Sequence, residues 1–256
     1  MNPIRGIHEH DGALLRLTID RPTGNVFTGD LMRELTSHVR AAAGSRTLRL
    51  VVLEAEGKHF SFGAAVDEHT PERVGEMLPV LRELVMSIAS SPVPVAALVQ
   101  GMCLGGAFEV VLACHFLFAA SDSKFAVPEI RLGVFPPVAA VLLPRRATQA
   151  LSERMILGGE ELGPEVLGQA GLVHATCPAD ELRGHTNAWF EKTLMRFSAV
   201  SLREAVRASR REFLDGLEQD LVRTEQDYLT RLAAVSDASE GIAAFMERRK
   251  PHWSHA

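Results

Sequence analysis

The sequence predicts an α/β protein: a parallel sheet with right-handed helical crossovers, followed by a helical C-terminal region. Three observations carry this. A strand, helix, strand succession occupies residues 13–54, the pattern of strands joined by crossover helices. The most apolar segment, residues 92–120, reads as a buried strand followed by a glycine-marked helix start. From Pro178 onward apolar residues recur only at helical spacing, among many charges.

With 256 residues, 46% hydrophobic and 23% charged, the chain is long enough to bury a large core. We divide it into an α/β core at 1–195 and a C-terminal helical subdomain at 196–256. A net charge of −5 and no basic run longer than residues 248–250 argue against nucleic acid as a partner. Segment 92–120 is long enough to suggest a membrane span, but Pro94, Gln100, Gly101, Gly105, Gly106, Glu109 and His115 interrupt it. A soluble core and no membrane partner are expected. The N-terminus lacks the apolar run of a secretory signal, so a cytoplasmic location is expected. Cys103, Cys114 and Cys177 show no CxxC spacing and read as small buried hydrophobes in a reducing compartment. His8 and His10 fit a strand's outer face, and no metal site is expected.

Taken in order, residues 4–10 and 13–19 alternate as two strands around Asp11-Gly12, a hairpin. Asp20-Arg21-Pro22 ends the second strand. Residues 28–43 carry Leu31, Leu35 and Val39 at helical spacing and close on Gly44. Residues 48–54 then form a buried strand. The loop 57–66 that follows is rich in small residues, at the strand end where α/β folds bind ligands. Ser61 near His59 and His69 suggests a nucleophile and base, but no orienting acid accompanies them. A Thr70-Pro71-Glu72 start signal opens a helix over 70–90.

In the apolar segment, residues 93–99 are the strand, 100–104 a turn, and the helix starts near Gly105 with Phe108, Val111 and Leu112 facing the core. A helix start offers unpaired N–H groups, and glycine there lets an oxygen ligand approach the backbone. Glu109 follows Gly106 by three residues, almost one turn. The segment therefore has the makings of an oxyanion donor beside a carboxylate. The alternative is that the two glycines serve helix packing alone and that Glu109 is a solvated or ion-paired side chain.

Residues 121–124 form a turn and 125–127 a short strand, and Pro128-Glu129-Ile130 breaks into a new loop. Glu129 lies twenty positions beyond Glu109, so only the tertiary fold can pair them. Short helices are expected at 138–143, 152–157 and 164–170, then an edge strand after Gly171, then helices at 179–197, 201–214, 217–235 and 239–249.

The segments RPTGNVF at 21–27, GKHFSFGAAVDEH, VQGMCLGGAFEVVLACHFLFAA, FAVPEIRLGVFP, GQAGLV and EGIAAFMERRKPHW follow one another along nearly the whole chain. In this order and spacing they resemble the enoyl-CoA hydratase/isomerase (crotonase) superfamily. The resemblance implies a spiral of repeated ββα units with a C-terminal trimerisation region, and a homotrimer or dimer of trimers. It implies an acyl-CoA substrate, with coenzyme A as part of the substrate and no separate cofactor. The thioester oxygen would rest on the backbone N–H groups of Ala64 and Gly106. Glu109 and Glu129 would be the catalytic pair, Glu109 orienting water and Glu129 delivering a proton. An isomerase working with one carboxylate, and a catalytically silent member of the superfamily, are the alternatives.

Some positions depart from the common hydratase pattern. Phe62-Gly63-Ala64-Ala65 brings a ring to the first oxyanion loop, and Pro136-Pro137-Val138 replaces glycines near the acyl end. Phe62, Gly63, Gly105, Phe135, Pro137 and Val138 are the expected substrate-binding residues here. An apolar, flattened pocket formed by Phe62, Phe135 and Val138 would suit a cyclic, conjugated acyl group. Asp67 stands where a lysine often reaches toward coenzyme A. Phe245 and Arg248 fall where the family's last helix meets coenzyme A, Arg248 being otherwise a solvated cation at a helix end.

Overall fold

A computed structural model describes residues 3–256. β1 (Ile4–Glu9) and β2 (Leu14–Ile19) pair antiparallel across a 3₁₀ turn at His10–Gly12, the expected hairpin. α1 (Gly29–Ala43) begins where the Thr28 hydroxyl accepts the Leu31 N–H, and it buries Leu31, Leu35 and Val39. β3 (Leu50–Ala55) returns parallel to β2, and α2 (Val74–Ala89) crosses back. The helix starts a turn later than the Thr70 signal suggests, because residues 70–73 close a separate turn on the Thr70 carbonyl.

β4 (Val95–Val99) and β5 (Met102–Leu104) precede α3 (Gly105–Ala113), and β6 (Phe116–Ala120) and β7 (Lys124–Ala126) repeat the two-strand step. The expected turn at 100–104 is therefore only Gln100–Gly101. The remaining three residues pair with β7, a ladder too short to show in sequence periodicity. β6 was likewise hidden, its apolar residues running on from α3 without a break. α4 (Ala139–Arg146), α5 (Gln149–Gly158) and α6 (Pro164–Gln169) lead to β8 (Ala175–Cys177) at the sheet edge. The main sheet runs β1-β2-β3-β4-β6-β8. β5 and β7 form a second small sheet, extended by single bridges from Ser61 to Cys103 and from Leu162 to Phe125.

β4 and β6 thus each hand the chain to a short strand of the second sheet and then to a helical turn, and β3 hands it to the single bridge at Ser61 and then to α2. Repeating that step winds the spiral. One face of the main sheet buries Leu17, Val51, Ala97 and Ala119 against α1, α2 and α3. The other buries Leu14, Val52, Leu98 and Phe118 against Leu182 and Phe190 of α7 (Leu182–Lys192).

The remaining helices are more broken than their periodicity suggests. The expected helix at 201–214 kinks at Arg210 into α8 (Ala199–Ser209) and α9 (Arg211–Leu214). The expected helix at 217–235 is α10 (Leu217–Asp227) running into a π-turn, Tyr228–Leu232. α11 (Ser236–Met246) closes the chain against the 3₁₀ segment Pro128–Leu132. Among the described residues no helix is long and apolar enough to cross a membrane.

Candidate active site

The site forms where the loop after β3 meets the start of α3. Ser61 holds this loop: its hydroxyl donates to the Asn25 carbonyl and accepts the Gly63 N–H, and it is fully buried. His59 is committed elsewhere, its Nδ1 accepting the Met102 N–H. Ser61 is therefore a loop brace rather than a nucleophile. Further along, Gly63 offers its carbonyl to the Phe27 N–H and Ala65 donates its N–H to Phe27. In that parallel bridge Ala64 points its own N–H the other way, toward α3.

α3 starts with no side-chain cap, so its first N–H groups are free of intrahelical partners. Gly106 faces Ala64 so closely that a Cβ on it would lie 3.0 Å from the Ala64 Cβ and 3.5 Å from the Ala64 nitrogen. The two backbone positions assigned to the oxyanion are thus adjacent. At its other end α3 is capped by two guanidinium groups. Arg146 donates to the Leu112 and Cys114 carbonyls, and Arg210 to those of Ala113 and Cys114. Positive charge at a helix C-terminus complements its dipole and fixes the helix that presents Gly106 and Glu109.

Glu109, one turn into α3, is only 2% exposed, and its Oε1 accepts the Ala139 N–H at 2.7 Å. Glu129 arrives on the 3₁₀ segment and places its Oε1 against Gly105, while its buried Oε2 has no hydrogen-bond partner among the described residues. The pair that twenty residues of sequence leave apart is brought together by the fold: the charge on Glu109 acts directly on Glu129. Burial, opposed by the Ala139 and Val138 amides, raises the Glu109 carboxyl to about 7. Burial and then the Glu109 charge push Glu129 well above the ordinary carboxylate range. Glu109 is thus the first of the two to ionise, near neutral pH, while Glu129 keeps its proton.

A cavity of about 420 Å³ opens over Glu129, while Glu109 is buried and outside its wall. Phe62, Gly63, Ala64, Gly105, Gly106 and Glu129 line it, and Phe245 of α11 closes one side. Phe135, Pro137 and Val138 are not in its wall but pack into the core, Val138 and Ala139 serving as the amides on Glu109. Phe62, 47% exposed at the entrance, stacks on His59 instead. The structure therefore does not gather Phe62, Phe135 and Val138 into one flat pocket. The bulk at residue 62 shapes the cavity, and the bulk at 135–138 lies outside its wall. Arg248 is exposed beyond α11 and lies outside the cavity wall, and Asp67 is paired with Arg73 at 2.6 Å.

Arg131 and Tyr228 had no sequence signal, and His69 drew notice only as a possible base for Ser61. Arg131 and His69 line the cavity; burial lowers the His69 ring, whose Nδ1 lies 2.9 Å from the Ala65 carbonyl. Tyr228, buried beside Phe135, has an unpartnered hydroxyl subject to the charges of both glutamates. Only its being the single tyrosine of the chain could have drawn attention to it.

The family described as enoyl-CoA hydratase/isomerase matches residues 9–256. The chain belongs to that family. The sequence is 42% identical, over 99% of this chain and 98% of its relative, to a cyclohexa-1,5-dienecarbonyl-CoA hydratase of Thauera aromatica. It is 30% identical, over 93% and 94%, to a 2,3-dehydroadipyl-CoA hydratase of Escherichia coli. Among solved structures, an enoyl-CoA hydratase from Mycobacterium avium subsp. paratuberculosis superposes with a TM-score of 0.87 at 26% identity, covering 99% of each chain. The crotonase fold and an enzyme of the enoyl-CoA hydratase/isomerase kind, both expected from the motifs, are thereby borne out.

Proposed function

We propose that this protein is a hydro-lyase that adds water across a conjugated enoyl-CoA or dienoyl-CoA thioester. The observation that carries this reading is the buried carboxyl pair, with both members raised, set beside two adjacent backbone amides. The thioester oxygen sits on the N–H groups of Ala64 and Gly106, each worth on the order of 3 kcal/mol to a developing enolate. Ionised Glu109 takes a proton from water as its oxygen bonds to the β-carbon. The double-bond electrons move to the thioester oxygen, and on their return protonated Glu129 supplies the α-carbon proton. Glu109 then holds the water proton and Glu129 has lost its own, and their proximity lets one restore the other.

A ring-shaped acyl group is the more specific part of the proposal. It rests on the likeness to the Thauera relative and on the bulk that Phe62 brings to the cavity wall. A trimer or dimer of trimers is part of the same reading, supported by the exposed apolar side chains of Met195, Phe197 and Val200. The purified enzyme is to be offered crotonyl-CoA and cyclic enoyl- and dienoyl-CoA thioesters while loss of enoyl absorbance and uptake of solvent ¹⁸O are followed. Cyclic thioesters should gain one solvent oxygen, and Glu109→Gln or Glu129→Gln should lower the rate by about 10²- to 10⁴-fold. Turnover confined to linear chains removes the cyclic substrate. A product without solvent oxygen replaces hydration by isomerisation, and glutamine variants as active as wild type reduce the carboxyls to structural groups.

A further inference from the structure

Three buried side-chain polar atoms lack a hydrogen-bond partner among the described residues: His115 Nε2, Glu129 Oε2 and Tyr228 Oη. His115 belongs to the far end of α3, beside Arg146 and Arg210. The other two meet at the glutamate pair: the charges of Glu129 and Glu109 both act on the Tyr228 phenol, which is buried outside the wall of the cavity that Glu129 lines. Tyr228 is 1% exposed, and its ring meets that of Phe135 edge-on, with centroids 5.4 Å apart. Burial and then the charges of Glu129 and Glu109 hold its phenol up, so it stays neutral. It opens the π-turn Tyr228–Leu232, a geometry that re-aims a side chain and recurs at functional sites.

Phenylalanine would fill the same space against Phe135 without leaving a hydroxyl buried and unpaired, which costs free energy. The oxygen therefore has a use that the folded chain alone does not supply. A water attacking the β-carbon directs one lone pair at carbon and one O–H at Glu109, so its second O–H needs an acceptor. A neutral phenol oxygen accepts that bond without competing for the proton, and its own hydrogen remains free for the unpartnered Glu129 Oε2.

We propose that Tyr228 is a further catalytic residue, its hydroxyl holding the oxygen that joins the β-carbon, first as water and then as the product hydroxyl. This rests on the hydratase reading above. Tyr228→Phe, which preserves the ring contact, should lower kcat for hydration and for the reverse dehydration by the same factor, about 10- to 100-fold, with KM changed less than about twofold. A second readout separates this from a packing role. Exchange of the α-protons of a saturated acyl-CoA with solvent deuterium needs the amide pair and Glu129 but no attacking water, so Tyr228→Phe should exchange at the wild-type rate.

Unchanged hydration in Tyr228→Phe overturns the proposal. So does a parallel loss of hydration and exchange, which would make Tyr228 a support for the glutamates. If the wild-type enzyme hydrates no thioester at all, the functional reading fails and this assignment falls with it, a result distinct from either Tyr228→Phe outcome.

Discussion

Glu129 rests against Gly105, so that a Cβ on the glycine would stand 2.8 Å from the carboxyl Oε1. Gly105 also adopts φ +49°, in the left-handed region. A glycine at the first position of α3 thus does two things: it turns the chain from β5 into the helix, and it leaves room for the Glu129 carboxyl against the first turn. Helix packing, the alternative reading of the glycine pair, does not account for the carboxyl oxygen that fills the space.

Gly105→Ala should therefore displace Glu129 and misalign the Gly106 amide. We expect initial hydration rates to fall by about a hundredfold or more. The melting temperature should fall by only several degrees, since the strain of one residue is on the order of 1–2 kcal/mol. A variant retaining near wild-type rates would show that neither the acid nor the amide is held by this contact.

The pH dependence follows from the two carboxyls. In the proposed hydration Glu109 acts ionised, so the rate should rise with pH through about 7. Glu129 has to be protonated, so the rate should fall again at higher pH, where its raised carboxyl ionises. Stability runs with the same sign for both groups. Each holds its proton more tightly folded than unfolded, so folding loses free energy as pH climbs from about 4.5 through the raised values. Glu109→Gln should accordingly melt above wild type by a larger margin at about pH 8.5 than at about pH 5. Equal margins at the two pH values would mean that Glu109 does not titrate as a buried acid.

What the sequence disclosed and what it withheld divide along physical lines. Long periodic elements such as α1 and the buried strands β3 and β4 are legible because burial on one or both faces dictates their residues. Gly106 and Glu109 are legible as a unit, being one turn apart on one helix. The second sheet is not, since three residues at Met102–Leu104 leave no period to read. Nor is the meeting of Glu109 with Glu129 and Tyr228, which depends on three separate crossovers. Motif order anticipated the first pairing, and nothing in the chain anticipated the tyrosine.

A last expectation concerns the opposite face of the sheet. Arg16 is fully buried on β2 and donates to both oxygens of Glu9, to Glu54 on β3 and to Asn187 on α7, all within 2.8 Å. Glu54 also accepts the Thr18 hydroxyl and the Arg183 guanidinium. The cluster ties α7 to the sheet by buried charge as well as by the packing of Leu182 and Phe190. Arg16→Ala leaves the buried Glu54 carboxylate with the half-exposed Arg183 as its cation partner and Glu9 without Arg16, and should cost about 3–5 kcal/mol in chemical denaturation. Replacing the charges together, as Arg16→Met with Glu54→Leu, should cost far less than Arg16→Met alone, because the buried carboxylate goes with its partner and the ions left over, Glu9 and Arg183, reach solvent. Glu9 is held below the ordinary carboxylate range by its bond to Arg16, and Glu54 by Arg183 and Arg16 against the opposing effect of its own burial. Their contribution is present above about pH 4.5 and is lost as pH falls through their lowered values. The gap between wild type and Arg16→Ala should then narrow in acid, and a gap that stays constant down to about pH 3 would rule out these ion pairs as its source.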